Sequence, residues 1–357
     1  MRIHALFQYV IAIFYSVALS TTSTAAEQPA SANVQKTPHI AVILPLQSKA
    51  LGEPAEAIKA GIVAAASKPG TGDLPYMVYP IADETTDLQQ TYQEAVDAGA
   101  KVVIGPLTLA GVKSMAGKAP LPVPTLALNT LPEGPAAQGL YSLNLSAAAE
   151  GKLVADKATQ AGFHQAATVT VESPLTQRIQ QAFANEWLLK GGTVSMLVNV
   201  PAAKPDYTAL RTQMAQCNCD VIFIAADANR TKLIKPFLPA GVPVYSTSQG
   251  FSGKLKSANN LELEGMRLFD MPWLLQPDHP AVMTYPRSAR PLVAEDDRLY
   301  ALGIDALRIA ELLAQGISGP IELDGVTGHL TLGSDGTFTR ELQAADVRGG
   351  EVVRVLP

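Results

Sequence analysis

The residues best placed to do chemistry stand just after short aliphatic runs. They are Gln47, Ser48, Leu107, Thr108, Asn129 and Thr130 in the first half of the chain, and Ser173, Asp227, Ser248 and Gln249 in the second. The runs before them are IAVILP, VVIGP, PTLALN, AATVTV, VIFIAA and VPVYST. If these are strands of open α/β sheets, the residues beyond them lie where such sheets hold ligands. The side chains are mainly neutral hydroxyls and amides. A hydroxyl with free backbone amides at a helix N-terminus could hold a carboxylate. An amino-acid receptor also needs an acidic group for the ammonium. Asp227 is the one candidate, and it could equally cap the helix that follows VIFIAA. Two readings stand side by side: a cleft that takes a small polar ligand, or a narrow water-filled cleft whose loops fix the two halves of the molecule.

Catalytic and metal chemistry find no support. G-x-S-x-G, H-E-x-x-H, Walker A and G-x-G-x-x-G patterns are all absent. Gly70-Thr71-Gly72 falls in a helix-to-strand loop, the wrong context for a dinucleotide. Asp83-Glu84 reads as a strand-exit turn with a helix cap, and Glu295-Asp296-Asp297 as favourable charge at the start of a long helix. His39, His164, His279 and His329 are scattered singly, and a thiolate metal site needs about four ligands. Cys217 and Cys219, the only cysteines, are either a tight disulfide or a pair of structural thiols. The reading is a protein that is not an enzyme and has no cofactor and no metal. Trp187 and Trp273 read as core or hinge packing, and Asp305 as a structural hydrogen-bonding group.

Composition narrows the class. With 47% hydrophobic and 17% charged residues in 357, the chain is long enough for two well-packed domains. A net charge of -5 and 6% aromatics offer nothing to nucleic acid. Residues 1–26 read as a signal peptide: Arg2 and His4, then LFQYVIAIFYSVAL, then TTSTAA with cleavage near Ala26. The run is short for a membrane span of about 20 residues, and no second apolar segment follows. No cysteine stands near the cleavage point, which speaks against a lipid-modified N-terminus. The expected product is a soluble periplasmic protein with no transmembrane segment after cleavage, preceded by a polar linker over 27–37.

Strand and helix patterns alternate from His39. The runs already quoted, with MVYPIA and TVSMLVNV, are apolar nearly throughout, as in parallel strands covered on both faces. Helical stretches lie between them, from Pro54 to Ala66, Thr86 to Ala98, Ala147 to Gln160, Pro174 to Leu189, Tyr207 to Ala215 and Asn229 to Leu238. The pattern occurs twice and breaks at YSLNLS and again at LFDMPW. A long amphipathic helix, Asp297 to Gln315, precedes a β-meander with the hairpin signals SDGT and RGGE. The fold class is therefore α/β, with two doubly wound parallel-sheet lobes.

Several phrases, in order, carry a family resemblance: IAVILPLQSKALGEPAEAIKAGI, VVIGPLTLAGV, VPTLALN, YSLNLSAAAE, VYSTSQ, LFDMPWLL, DRLYALGIDAL and LDGVTGHLTLGSDGTFTREL. Over Ile40 to Leu342 the chain resembles the C-terminal module of the LppC/LpoA family of penicillin-binding protein activators. That resemblance implies a type I periplasmic-binding-protein fold with a three-crossing hinge. Lobe 1 would be 38–143 plus 272–320, and lobe 2 would be 144–271 plus 321–357. The crossings would fall at YSLNLS, LFDMPW and near LDGVTG. The partner it implies is a class A, bifunctional penicillin-binding protein of peptidoglycan synthesis. The looser phrases are shared with leucine/isoleucine/valine receptors, which implies the alternative of a solute receptor closing on a ligand.

Overall fold

A computed structural model describes residues 36–68, 74–131, 137–316 and 319–356. The expected signal peptide, nearly all of the linker and the Gly70–Gly72 loop lie outside the described residues. The first lobe runs β1 (His39–Leu44), α1 (Gly52–Ala66), β2 (Tyr76–Pro80), α2 (Leu88–Asp97), β3 (Ala100–Ile104), α3 (Leu109–Ala116), β4 (Thr125–Ala127) and β5 (Leu140–Ser142). Its strands are all parallel, in the order β2-β1-β3-β4-β5. Burial on both faces explains the unbroken apolar text of β1. Ile40, Val42 and Leu44 point into one core, and Ala41 and Ile43 into the core on the other face, with residues of α2 and α3.

The second lobe repeats the pattern with α4 (Ala147–Gln160), β6 (Gln165–Val171), α5 (Pro174–Leu189), β7 (Thr193–Val200), α6 (Tyr207–Met214), β8 (Val221–Ala225), α7 (Ala228–Ile234), β9 (Val244–Ser246) and β10 (Met266–Asp270). Its parallel strands stand in the order β7-β6-β8-β9-β10, the same winding as the first lobe. Phe183, Trp187 and Phe223 stack under α4 and α5 on one face. Ile222, Ile224 and Leu268 pack on the other face with residues of α6 and α7.

The chain then returns to the first lobe through α8 (Pro272–Leu275), α9 (Pro280–Thr284) and α10 (Ala294–Ala314). Helices α10 and α1 cross with their backbones in contact. A Cβ on Gly303 would collide with the Ile58 carbonyl, and one on Gly61 with the Tyr300 carbonyl. Trp273 is fully buried at the start of this segment, with Arg287 stacked 3.9 Å over its ring and its Nε1 donating to Asp297 Oδ1 at 2.7 Å.

The last stretch divides where 321–357 was expected to join the second lobe as one block. Strands β11 (Glu322–Asp324), β12 (His329–Leu332) and β13 (Phe338–Glu341) form a separate antiparallel sheet. Its apolar side chains Val326, Leu330 and Phe338 join the first lobe's core, because those are the apolar faces they meet. Only β14 (Gln343–Arg348) and β15 (Glu351–Arg354) extend the second lobe's sheet, antiparallel beyond β10. The third crossing is therefore at Leu342, later than LDGVTG, and that side chain packs against the cores of both lobes. Among the described residues, no helix is long and apolar enough to cross a membrane.

Candidate functional site

Each lobe reverses its strand order at a switch point, between β1 and β3 in the first and between β6 and β8 in the second. Open sheets present their ligand crevice there, and the structure places Gln47, Ser48, Leu107, Thr108, Ser173 and Asp227 beside these points. Several of them are already engaged within the chain. The start of α3 is filled by Glu84, which is 3% exposed. Its Oε1 accepts the Leu107 N–H at 2.7 Å, and its Oε2 accepts the Thr108 N–H at 2.8 Å and the Thr108 hydroxyl at 2.6 Å. Thr108 Oγ1 in turn accepts the Gly111 N–H at 3.0 Å. A carboxylate does sit on this helix N-terminus, as its dipole and free amides favour, but it belongs to the protein.

The remaining candidates divide between caps and packing. Ser173 caps α5 by accepting the Thr176 N–H at 3.2 Å, and Asp227 caps α7 by accepting the Arg230 N–H at 2.9 Å. Of the two tasks weighed for Asp227, capping is the one its Oδ1 performs. Asn129 donates to the Leu107 carbonyl at 2.8 Å and accepts the Thr130 N–H at 2.8 Å. Ser48 accepts a long 3.4 Å bond from the Leu51 N–H, and Gln47 is exposed. A cavity of about 210 Å³ gathers Leu107, Asn129 and Thr130 with Asn144, Leu145 and Ser146 of the first crossing and Leu299 and Leu302 of α10. None of the second-lobe candidates lines it. This cavity therefore gathers first-lobe candidates alone, and its volume lies below the roughly 300 Å³ usual for ligand sites.

The unusual electrostatics lie deeper, between the lobes. Arg298 of α10 is 4% exposed and Asp270, at the end of β10, 1%. The guanidinium donates to the carboxylate through Nη2 at 2.7 Å and through Nε at 3.2 Å, and also to the Ser248 carbonyl at 2.8 Å and the Phe251 carbonyl at 3.2 Å. Arg340 of β13 approaches Glu150 of α4 at 3.6 Å and donates to the carbonyls of Asn144 at 3.0 Å and Thr327 at 3.2 Å. Glu150 also accepts the Ser248 N–H at 3.1 Å. Burial pushes the Glu150 carboxyl above its usual range against the pull of Arg340. Burial also works against the charge of Arg298, but Asp270 outweighs it and holds that guanidinium above its ordinary value. Arg298 Nη1 and the hydroxyls of Thr247 and Ser248 are buried without a protein partner.

The sequence does not show this quartet, and Asp83-Glu84 reads there as a strand-exit turn with a helix cap, without pointing to the start of α3 that Glu84 meets. A signal was present for one member. Arg298 and Asp305 lie seven residues apart in α10, on a face otherwise made of Ala, Leu and Ile, where a charge must be paired. Asp305 is fully buried and accepts the N–H groups of Val326 at 3.1 Å and Thr327 at 2.7 Å, tying the β11–β12 turn to α10. Cys217 and Cys219 are joined in a disulfide in the loop before β8. His279 and Asp324, distant in sequence, meet at 3.4 Å. Among the described residues, no group of His, Cys, Asp and Glu is placed to hold a metal ion.

Two parallel-sheet lobes of matching strand order, joined by three crossings, define a module of the type I periplasmic-binding-protein fold. Within that class the chain belongs to the LppC family: the model described as "LppC putative lipoprotein" matches residues 18–204 and 206–350. A relative named penicillin-binding protein activator LpoA, from Pectobacterium parmentieri, is 28% identical over 336 residues, covering 80% of this chain and 49% of its own length. The chain spans about half the length of the curated relatives it matches. A solved structure titled "a putative branched-chain amino acid ABC transporter" from Chromobacterium violaceum is 38% identical, with TM-score 0.73, covering 87% of this chain and all of that one (100%). The C-domain of LpoA from Haemophilus influenzae, titled a regulator of PBP1A, is 20% identical with TM-score 0.72, covering 89% of this chain and 100% of that domain, and shares the fold.

Proposed function

We propose that this chain is a non-enzymatic interaction protein of the bacterial cell envelope that binds and regulates a class A penicillin-binding protein from the periplasm. The observation that carries the reading is membership of the LppC family along almost the whole chain, together with relatives named as activators of penicillin-binding proteins. The geometry supports action by surface contact. At the first lobe's switch point the helix N-terminus that could take a ligand carboxylate holds Glu84, and at the second the polar side chains cap helices. The expected signal peptide places the protein outside the cytoplasmic membrane.

A second reading, a solute receptor that closes on a small ligand, is favoured by the 38% identity to the Chromobacterium violaceum structure. Affinity purification of the tagged protein from detergent-solubilised envelopes separates the two. Enrichment of a class A synthase is the expected result. Enrichment of a permease without any synthase overturns it and makes the cleft the functional site.

A further inference from the structure

We propose that the buried quartet Arg298–Asp270 and Arg340–Glu150 locks the two lobes in one relative orientation, so that the protein presents a fixed two-lobed surface and does not hinge shut. Such a lock holds whichever partner that surface meets.

The quartet lies where the chain passes between the lobes, in contact with the first two crossings and two residues from the third. Asn144, on the first crossing, accepts from Arg340 Nε. Asp270 is the last residue of β10, and its Oδ1 accepts the Met271 N–H of the second crossing at 2.8 Å. Arg340 stands two residues before Leu342, the third crossing. Each ion pair also has one member in each lobe. Arg298 comes from α10 of the first lobe and meets Asp270, Ser248 and Phe251 of the second. Arg340 comes from the sheet packed on the first lobe's core and meets Glu150 of α4 in the second.

Rotation about the crossings would therefore pull both ion pairs open at once inside the protein. A charge separated from its partner in a low-dielectric interior keeps its desolvation penalty and loses the attraction that offset it. Receptors that close by hinging absorb the backbone change in a few loop or element-terminal residues free to change φ and ψ. At the first two crossings Ser142, Leu143, Asp270, Met271 and Trp273 are 0–1% exposed and packed in the interior, while Asn144, Leu145, Ser146 and Leu342 are half-buried. Segments that open readily have few buried contacts and solvated hydrogen bonds, and the buried residues of the first two crossings have neither.

The test is a distance distribution between spin labels on Lys49→Cys and Asn229→Cys, exposed positions of the first and second lobe. The native cysteines are bonded to each other and take no label. The expected result is one narrow distribution, unmoved by millimolar leucine, isoleucine or valine. A broad or two-peaked distribution, or a peak that shifts with an amino acid, overturns the lock. The same labels in Glu150→Gln/Arg340→Met, which removes one pair together, should give a distribution at least twice as wide with the circular dichroism of the folded protein retained. An unchanged width in a folded double variant also overturns it. Should that variant not fold, the measurement on the otherwise unmodified chain still decides.

Discussion

Replacing Glu84 by Ala removes the acceptor for the Leu107 N–H, the Thr108 N–H and the Thr108 hydroxyl. Hydrogen bonds to a charged group are worth about 1.5–3 kcal/mol each, with leftover donors adding desolvation cost and entering water subtracting from it. The side chain is 3% exposed, so full solvent screening does not apply. Allowing for water in the vacated space, a loss of about 3 kcal/mol is expected. For a compact unit of about 320 residues, Lys36–Pro357, that lowers Tm by roughly 4–5 °C. The assay is thermal unfolding followed by circular dichroism, in chloride and then in about 100 mM formate or acetate. A small carboxylate that re-occupies the α3 N-terminus should raise the variant's Tm and leave the parent's unchanged, by mass action on the folded state. Glu84→Gln should fall between the two, because its amide turns a donor towards one of the donors that Glu84 satisfies. A Glu84→Ala protein that melts within 1 °C of the parent would refute the account of the filled N-terminus. Equal response of parent and variant to formate would do the same.

Further outcomes follow from packing and charge. Gly303→Ala should cost more than the 1–3 kcal/mol typical of overpacking, because its Cβ meets the Ile58 backbone; Gly117→Ala, with its nearest neighbour at 3.5 Å, should change stability by less than about 0.5 kcal/mol in the same denaturant titration. Arg340→Met should destabilise by about 3–5 kcal/mol by leaving Glu150 buried and unpaired, and Glu150→Gln added to it should recover much of that loss. The pH dependence has a definite sign. A carboxyl whose folded value is raised contributes stability that is fully present below the ordinary Glu range and is lost as pH rises through the raised value. Unfolding free energy of Arg340→Met should therefore fall more steeply than the parent's as pH climbs from about 5, which denaturant titrations across pH will read. Replacing Cys217 and Cys219 together by Ser should cost no more than about 2 kcal/mol, since the bond closes a very short loop.

The repeated α/β text made the fold legible, for a physical reason. Strands buried on both faces must be apolar throughout, so IAVILP and VIFIAA stand out from any helix around them. The short strand Thr125–Ala127 was legible in PTLALN, but its partner Leu140–Ser142 read only as a break in the pattern. β-meander text announces hairpins but not which core they will cover. The division of the last stretch between two lobes was set by Val326, Leu330 and Phe338 meeting the first lobe's core, a contact with partners far away in sequence. The candidate site was legible as a set of strand ends. What those ends do was not, because Glu84 reaches the α3 start from 23 and 24 residues away, and Arg340 meets an Asn144 carbonyl 196 residues away. A charge is visible in a sequence; its burial and its partner are not.

The most direct test of the central reading is the binding of the purified protein to a purified class A penicillin-binding protein in detergent, by surface plasmon resonance, with leucine, isoleucine and valine tested separately by calorimetry. The account predicts saturable binding to the synthase and no heat from the amino acids. Tight binding of an amino acid with no response from the synthase would contradict it.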